Sequence, residues 1–277
     1  MAIIKTEAIV LKRYDLRETS LLVTFFTLDF GKVSGELKGI RTDPKKFASQ
    51  VEVFSHNEII FYQKRNSSVH LVSQCDLKNG FALIKQSISA ITAASVMVEL
   101  LDGIMPQEDK NEEVFRLAIS ALVALSGGNA EKITTVFKIK LLSLSGFKPH
   151  LDSCVSCGLS VIAQPKFSLK LGGLLRPKCY PTKDISARAI FKGTVATILH
   201  IEKNDLKSNL TLGMNPQIKR ELDLVLNSFL NFHLGRDLKS QRTINKLAVA
   251  GAPRTETVSA LANRSSSAKE TVSENAK

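Results

Sequence analysis

Short apolar runs broken by polar turns fill about the first 75 residues. T-E-A-I-V-L-K-R-Y is β-branched and apolar, and D-L-R-E-T separates it from S-L-L-V-T-F-F-T-L. D-F-G-K then leads into V-S-G-E-L-K-G-I, followed by E-V-F-S-H-N-E-I-I-F-Y-Q and S-V-H-L-V-S-Q-C. The pattern predicts five short strands. So few residues cannot cover both faces of a flat sheet, and closing the sheet into a barrel also removes its edges. The five-stranded OB-fold, a barrel that binds nucleic acid, fits the count; an SH3-like barrel or a small open sandwich fits it too.

Near residue 79 the period changes. Leu83, Ile84, Ile88, Ile91, Ser95, Val98 and Leu101 recur at three- and four-residue steps, which predicts a helix. A second helix is expected from Glu112 to Leu125, stopped by Gly127 and Gly128. A third begins near Asn129 and ends at Gly146, which suits the first position beyond a helix. P-T-K-D-I-S-A-R-A-I-F-K-G-T-V-A-T-I-L-H reads as helical again. A last helix has Asn215 as its cap, Pro216 at its first position, Ile218, Leu222, Val225, Leu226 and Phe229 on one face, and Gly235 at its end. From about Ala248 the chain is too polar to pack, and disorder is expected over 248–277.

Between these helical stretches lies a cysteine quartet with one member replaced. Cys154 and Cys157 form a C-x2-C knuckle, and G-G-L-L-R-P-K-C places Cys179 last in a second pair whose first position is Arg176. Four cysteines at this spacing would be a structural zinc ribbon. As written, Cys154, Cys157 and Cys179 are three candidate zinc ligands. His150 and Cys75 are the candidates for a fourth, and the alternative is a metal-free knuckle held by packing. Cys75, alone in a strand, reads as a small buried hydrophobe.

The fold class expected is α+β and multidomain: an OB-fold barrel over 1–78, a helical domain over 79–148 and 182–247, and a zinc-ribbon-like insertion over 149–181.

Composition is that of a globular chain, 44% hydrophobic and 23% charged. No apolar run is long enough for a membrane span, no signal peptide is expected, and the cysteine usage suits a reducing cytosol. The net charge is +12, most of it between residues 151 and 247. That balance favours polyanionic partners. Arg41, Lys45 and Lys46 form a basic loop between the third and fourth strands, suited to a phosphate track or to a solvated turn. The chain carries no P-loop, no G-x-S-x-G, no H-E-x-x-H and no G-x-G-x-x-G in a strand–helix setting, and no enzyme activity is expected.

The order of these parts resembles the RecO family of recombination mediator proteins. A-I-V-L-K-R-Y-D-L-R-E-T-S-L-L-V-T-F-F-T is similar to the family's opening strands, and D-F-G-K-V-S-G-E-L-K-G-I-R to its third. G-F-K-P-H-L-D-S-C-V-S-C-G and G-G-L-L-R-P-K-C resemble the halves of its zinc region, and N-F-H-L-G-R-D-L-K-S its C-terminal signature. The resemblance covers residues 1–245. It implies a cytoplasmic, nucleoid-associated protein without a catalytic site that binds single- and double-stranded DNA and anneals complementary strands. It also implies loading of RecA onto DNA coated with single-strand binding protein, with RecR and the C-terminal tail of that binding protein as partners.

On this reading Arg13, Arg17, Lys38, Arg41, Lys45 and Lys46 are the candidate phosphate contacts. Lys178, Arg236, Lys239 and Arg242 are a second basic set. Among Phe25, Phe26, Phe61 and Tyr62, one ring of each adjacent pair faces outward, to stack on a base or to cover a helix. The rival readings are a zinc-ribbon accessory factor that binds nucleic acid or protein without annealing, and a thiol-dependent enzyme using Cys154 or Cys157.

Overall fold

Five strands open the chain, as their sequence pattern predicts. β1 (Ala2–Leu16), β2 (Ser20–Thr27), β3 (Gly31–Leu37), β4 (His56–Gln63) and β5 (Val69–Asn79) close into a barrel of order β1-β2-β3-β5-β4. The computed structural model describes residues 2–42, 51–64, 66–161, 163–235 and Leu238.

Closure depends on the length of β1. Its first half pairs with β4, from Ala2 opposite Gln63 to Ile9 opposite His56, and its second half with β2 as far as Leu16 opposite Ser20. The register shift between Val10 and Lys12 marks the bend that lets one strand serve both neighbours. The circle is completed by a parallel pairing of β3 with β5, Ser34 opposite Val69 and Glu36 opposite Leu71. Val23, Phe25, Ile59, Phe61, Val72 and Cys75 fill the interior. Gly35 has no Cβ because Val72 and Phe25 occupy that space. Cys75 is a fully buried core residue, as expected.

The first helix starts later than its apolar pattern suggests. β5 runs to Asn79, a single 3-10 turn covers Ile84–Gln86, and α1 spans Ile88–Ile104. The Ser87 side chain accepts from the Ala90 amide and sets that start. Leu83 and Ile88, assigned to the buried stripe, are exposed; Ala90, Ala94, Met97, Val98 and Leu101 form the buried face. α2 (Glu112–Leu125) and α3 (Ala130–Leu144) follow the predicted bounds, each capped by an asparagine, Asn111 and Asn129. Gly146 has φ +79, the left-handed value that ends α3.

The helix predicted after Cys179 is instead three elements. α4 is one turn (Tyr180–Lys183), β8 (Arg188–Ala189) pairs with β6 (Lys166–Ser168), and α5 begins at Lys192 and ends at Lys203. β7 (Gly173–Leu175) is on the other side of β6. Asp184 accepts from the Ser168 hydroxyl at 2.5 Å and the Ser186 amide at 2.9 Å, which stops α4 and turns the chain toward β8. α6 (Leu206–Thr211) and α7 (Pro216–Leu234) complete the helical part against α3. α7 has its predicted cap, Asn215, and its predicted end, Gly235 at φ +63.

Barrel and helices share an interface on the outer face of β1, β2 and β3. Phe26 points out of the barrel onto Phe115 of α2, ring centroids 6.1 Å apart. Asp102 of α1 forms an ion pair with Lys12 and faces Lys32 at 3.9 Å. The Glu108 amide donates to the Lys32 carbonyl at 3.0 Å. Gly31, at φ +62, sits where any Cβ would collide with the Asp109 backbone.

Candidate nucleic-acid interface and cysteine cluster

Four of the six predicted phosphate contacts gather at one end of the barrel. The pairings Leu16–Ser20 and Leu21–Leu37 place the β1–β2 turn beside the end of β3. Arg17, at φ +54, sits in that turn, and Lys38 follows β3 directly. The Arg41 amide donates to the Thr19 carbonyl at 3.1 Å, and its Nη1 to the Arg17 carbonyl at 3.2 Å. Arg13 Nη1 donates to the Val51 carbonyl at 3.0 Å. All four cations are exposed. Lys45 and Lys46 lie outside the described residues.

Two carboxylates, Asp15 and Glu18, stand at the same end. Arg41 is 3.5 Å from Asp15, with 41% and 70% of the side chains exposed. An ion pair that open contributes little, so the guanidinium can exchange it for a phosphate at small cost.

The aromatic pairs sort differently. Phe25 and Phe61 fill the barrel, Phe26 covers α2, and Tyr62 is half-buried. The exposed aromatic at the basic end is Tyr14, 56% exposed, between Arg13 and Asp15 and paired in register with Leu22. It was not among the aromatics singled out from sequence. The signal was its place in the last three residues of a strand whose middle is buried, among charged neighbours.

Of the second basic set, Lys178 is exposed next to Cys179. Arg236, Lys239 and Arg242 lie outside the described residues. In the helical part, Ile104, Leu142, Phe147, Leu230 and His233 line an apolar recess of about 50 Å³. Phe147 of this lining and Phe232, next to His233 in sequence, are exposed, with ring centroids 5.8 and 5.6 Å from His233.

The three cysteines converge. The sulfurs of Cys154, Cys157 and Cys179 lie within 4.8 Å of one another, close enough to hold a metal ion. A tight turn makes the first pair: the Gly158 amide donates to the Cys154 carbonyl at 2.8 Å, and the Cys154 amide to the Leu159 carbonyl at 2.9 Å. The Val155 amide donates to the Leu174 carbonyl at 2.8 Å and docks this turn on β7. Burial pushes the Cys154 thiol up, but amide hydrogen bonds from Arg176, Ser156 and Cys157 outweigh it and bring the pKa to about 7. Cys179 is pushed up, chiefly by its hydrogen bond with Cys157.

The fourth side of the cluster belongs to Arg176. Its amide donates to Cys154 Sγ at 3.4 Å, and its Nη1 lies 3.9 Å from Cys157 Sγ. Neither expected substitute ligand is among the converging groups. Cys75 is sealed in the barrel core, and His150 Nε2 is paired with Ser153 Oγ at 2.7 Å. Structural zinc almost always takes four ligands, so the residues present do not complete a closed zinc site.

Known proteins place the chain. The family model described as Recombination protein O N terminal matches residues 1–81, and the one described as Recombination protein O C terminal matches residues 85–242. A DNA repair protein RecO of Desulforamulus reducens is 31% identical over 248 residues, covering 89% of this chain and 96% of its own length. One from Syntrophus aciditrophicus is 31% identical over 254 residues, with 89% and 97% covered. One from Symbiobacterium thermophilum is 25% identical over 255 residues, with 90% and 100% covered.

Proposed function

The chain belongs to the RecO family of DNA repair proteins, and on that premise we propose that it is a non-catalytic mediator that binds single- and double-stranded DNA and anneals complementary strands. It helps load RecA onto DNA coated with single-strand binding protein. The observation that carries this reading is the basic end of the barrel, where Arg13, Arg17, Lys38 and Arg41 are all exposed, Arg41 bonded to the Arg17 and Thr19 carbonyls and Arg13 to that of Val51. Exposed cations neutralise phosphates without reading bases, which is what pairing of arbitrary complementary strands requires. Lys45 and Lys46 extend the same set in sequence. Tyr14, exposed between Arg13 and Asp15, offers a ring on which an unpaired base can stack.

The partners on this reading are RecR and the C-terminal tail of single-strand binding protein. An apolar recess lined by Phe147, Leu142 and Leu230 suits a short tail of that kind. No helix among the described residues is long and apolar enough to cross a membrane, which accords with work at the nucleoid in the cytoplasm.

The decisive experiment follows two complementary labelled strands, each coated with single-strand binding protein, across a salt series without ATP. Accelerated pairing that fades with salt is the expected result. Binding to naked strands without pairing of coated ones reduces the protein to a nucleic-acid-binding accessory factor and overturns the mediator reading.

A further inference from the structure

The cysteine element offers three sulfurs where a closed zinc site needs four donors, and a permanent cation occupies the remaining side. Among the described residues, which include every cysteine and histidine of the chain, no further His, Cys, Asp or Glu joins the cluster. We propose that Arg176 takes over the work of the metal: the knuckle is clasped by this arginine and by a small apolar core, and it folds without zinc.

Arg176 reaches all three cysteines. Its amide donates to Cys154 Sγ at 3.4 Å, its guanidinium faces Cys157 Sγ at 3.9 Å, and its carbonyl accepts from the Cys179 amide at 2.9 Å. A metal links the two halves of a ribbon through sulfur; here one residue links the same two halves through backbone and side chain together. The position is the one that a fourth cysteine would fill, so the local chain path already aims residue 176 at the sulfurs. A guanidinium there keeps its charge at every accessible pH, attracts sulfur lone pairs and repels a divalent cation approaching the open side.

The element also has apolar support of its own. Cys154, Leu175 and Ala187 form a buried cluster, with Val155, Val161 and Tyr180 packed against it. The Lys166 ammonium sits 3.1 Å from the centroid of the Tyr180 ring, and the Ser168–Asp184 hydrogen bond ties β6 to the end of α4. These contacts join 154–161 to 166–189 without a bridging ion.

The test is independent of the DNA reading and uses the full chain, purified from zinc-supplemented cells without chelator. The expected result is below about 0.1 zinc per chain, a Cys157 thiol that reacts at once with a thiol reagent, and thermal unfolding unchanged by a strong zinc chelator. About one zinc per chain, with thiols protected until the chelator is added, overturns the proposal. Two variants separate the parts. Arg176→Cys is expected to gain about one zinc per chain and to protect its thiols; failure of the soluble variant to take up zinc overturns the placement of residue 176 as the missing ligand. Arg176→Met keeps volume and removes the charge, and is expected to speed proteolysis within 154–180. Unchanged proteolysis in that variant overturns the clasp.

Discussion

The Lys32 ammonium of β3 donates to the carbonyl of Asp102 in α1 at 2.6 Å and lies 3.9 Å from its carboxylate. Lys12 of β1 pairs with the same carboxylate. Asp102 is therefore the anion that two barrel strands share with the first helix, and its side chain is only 13% exposed. Neutralising it removes the carboxylate that both ammonium groups face, while the Lys32 bond to the Asp102 carbonyl remains. Asp102→Asn is expected to cost on the order of 3 kcal/mol in urea unfolding. A loss within about 0.5 kcal/mol of zero would show that the apolar contacts, Phe26 on Phe115 among them, hold the interface alone.

The basic end of the barrel predicts a particular salt signature. Arg41→Glu and Arg17→Glu should each weaken binding to any DNA sequence by about tenfold at low salt and make the log K against log salt slope shallower by about 1. Lys45→Glu and Lys46→Glu should act alike. Fluorescence anisotropy over a salt series measures both quantities. Reversal of these residues without a change in slope would move the phosphate track elsewhere on the protein.

On the proposed function, Tyr14 is expected to distinguish single strands from duplex. Tyr14→Ala should weaken single-strand binding by roughly tenfold, within the range for loss of one base stack, and leave duplex binding within about twofold. Equal losses on both substrates would make Tyr14 a structural residue of the rim rather than a stacking platform.

Acid should destabilise the fold through a pair at the barrel–helix boundary. Burial holds His56 below its ordinary 6.5 although Glu7, 2.8 Å away, favours the charged ring. The folded state thus binds that proton less readily than the unfolded chain, and stability is lost as pH falls from above 6.5 through the lowered value. Glu7 is held below its ordinary 4.5, chiefly by its hydrogen bond from Lys78, so its contribution is present above 4.5 and lost as pH falls through the lowered value. Thermal melts from about pH 7.5 to about pH 4 should fall throughout, and His56→Gln should flatten the upper part only. A wild-type melt that is level between pH 7 and 5.5, roughly the window of an ordinary imidazole, would count against this account.

Local signals carried the elements whose cause is local. Asn129 and Asn215 stand before their helices as caps, Gly146 and Gly235 end theirs at positive φ, and the five strands lie between their turn residues. The errors came where a distant partner decided. The stripe through Leu83 and Ile88 had helical spacing, but β4 holds the chain extended as far as Asn79, and Ser87 starts the helix afterwards. The stretch 184–191 had helical composition, but β6 offered Arg188 and Ala189 an open edge.

By itself the sequence determined the five barrel strands and the caps and ends of the longer helices, that three thiols would stand at ribbon spacing, and that the chain resembles the RecO family. These properties depend on residue type and on separations of a few residues. Tertiary structure alone decided that Phe25 faces the barrel core while Phe26 covers Phe115, because adjacent strand residues alternate and only the docked helix gives the outer face a partner. It decided that Arg13 and Arg41 reach across to Val51 and Thr19, since barrel closure brings those loops together. It also decided that Arg176 faces sulfur, because β7 and the knuckle are joined by a hydrogen bond between residues 155 and 174 that no local pattern encodes.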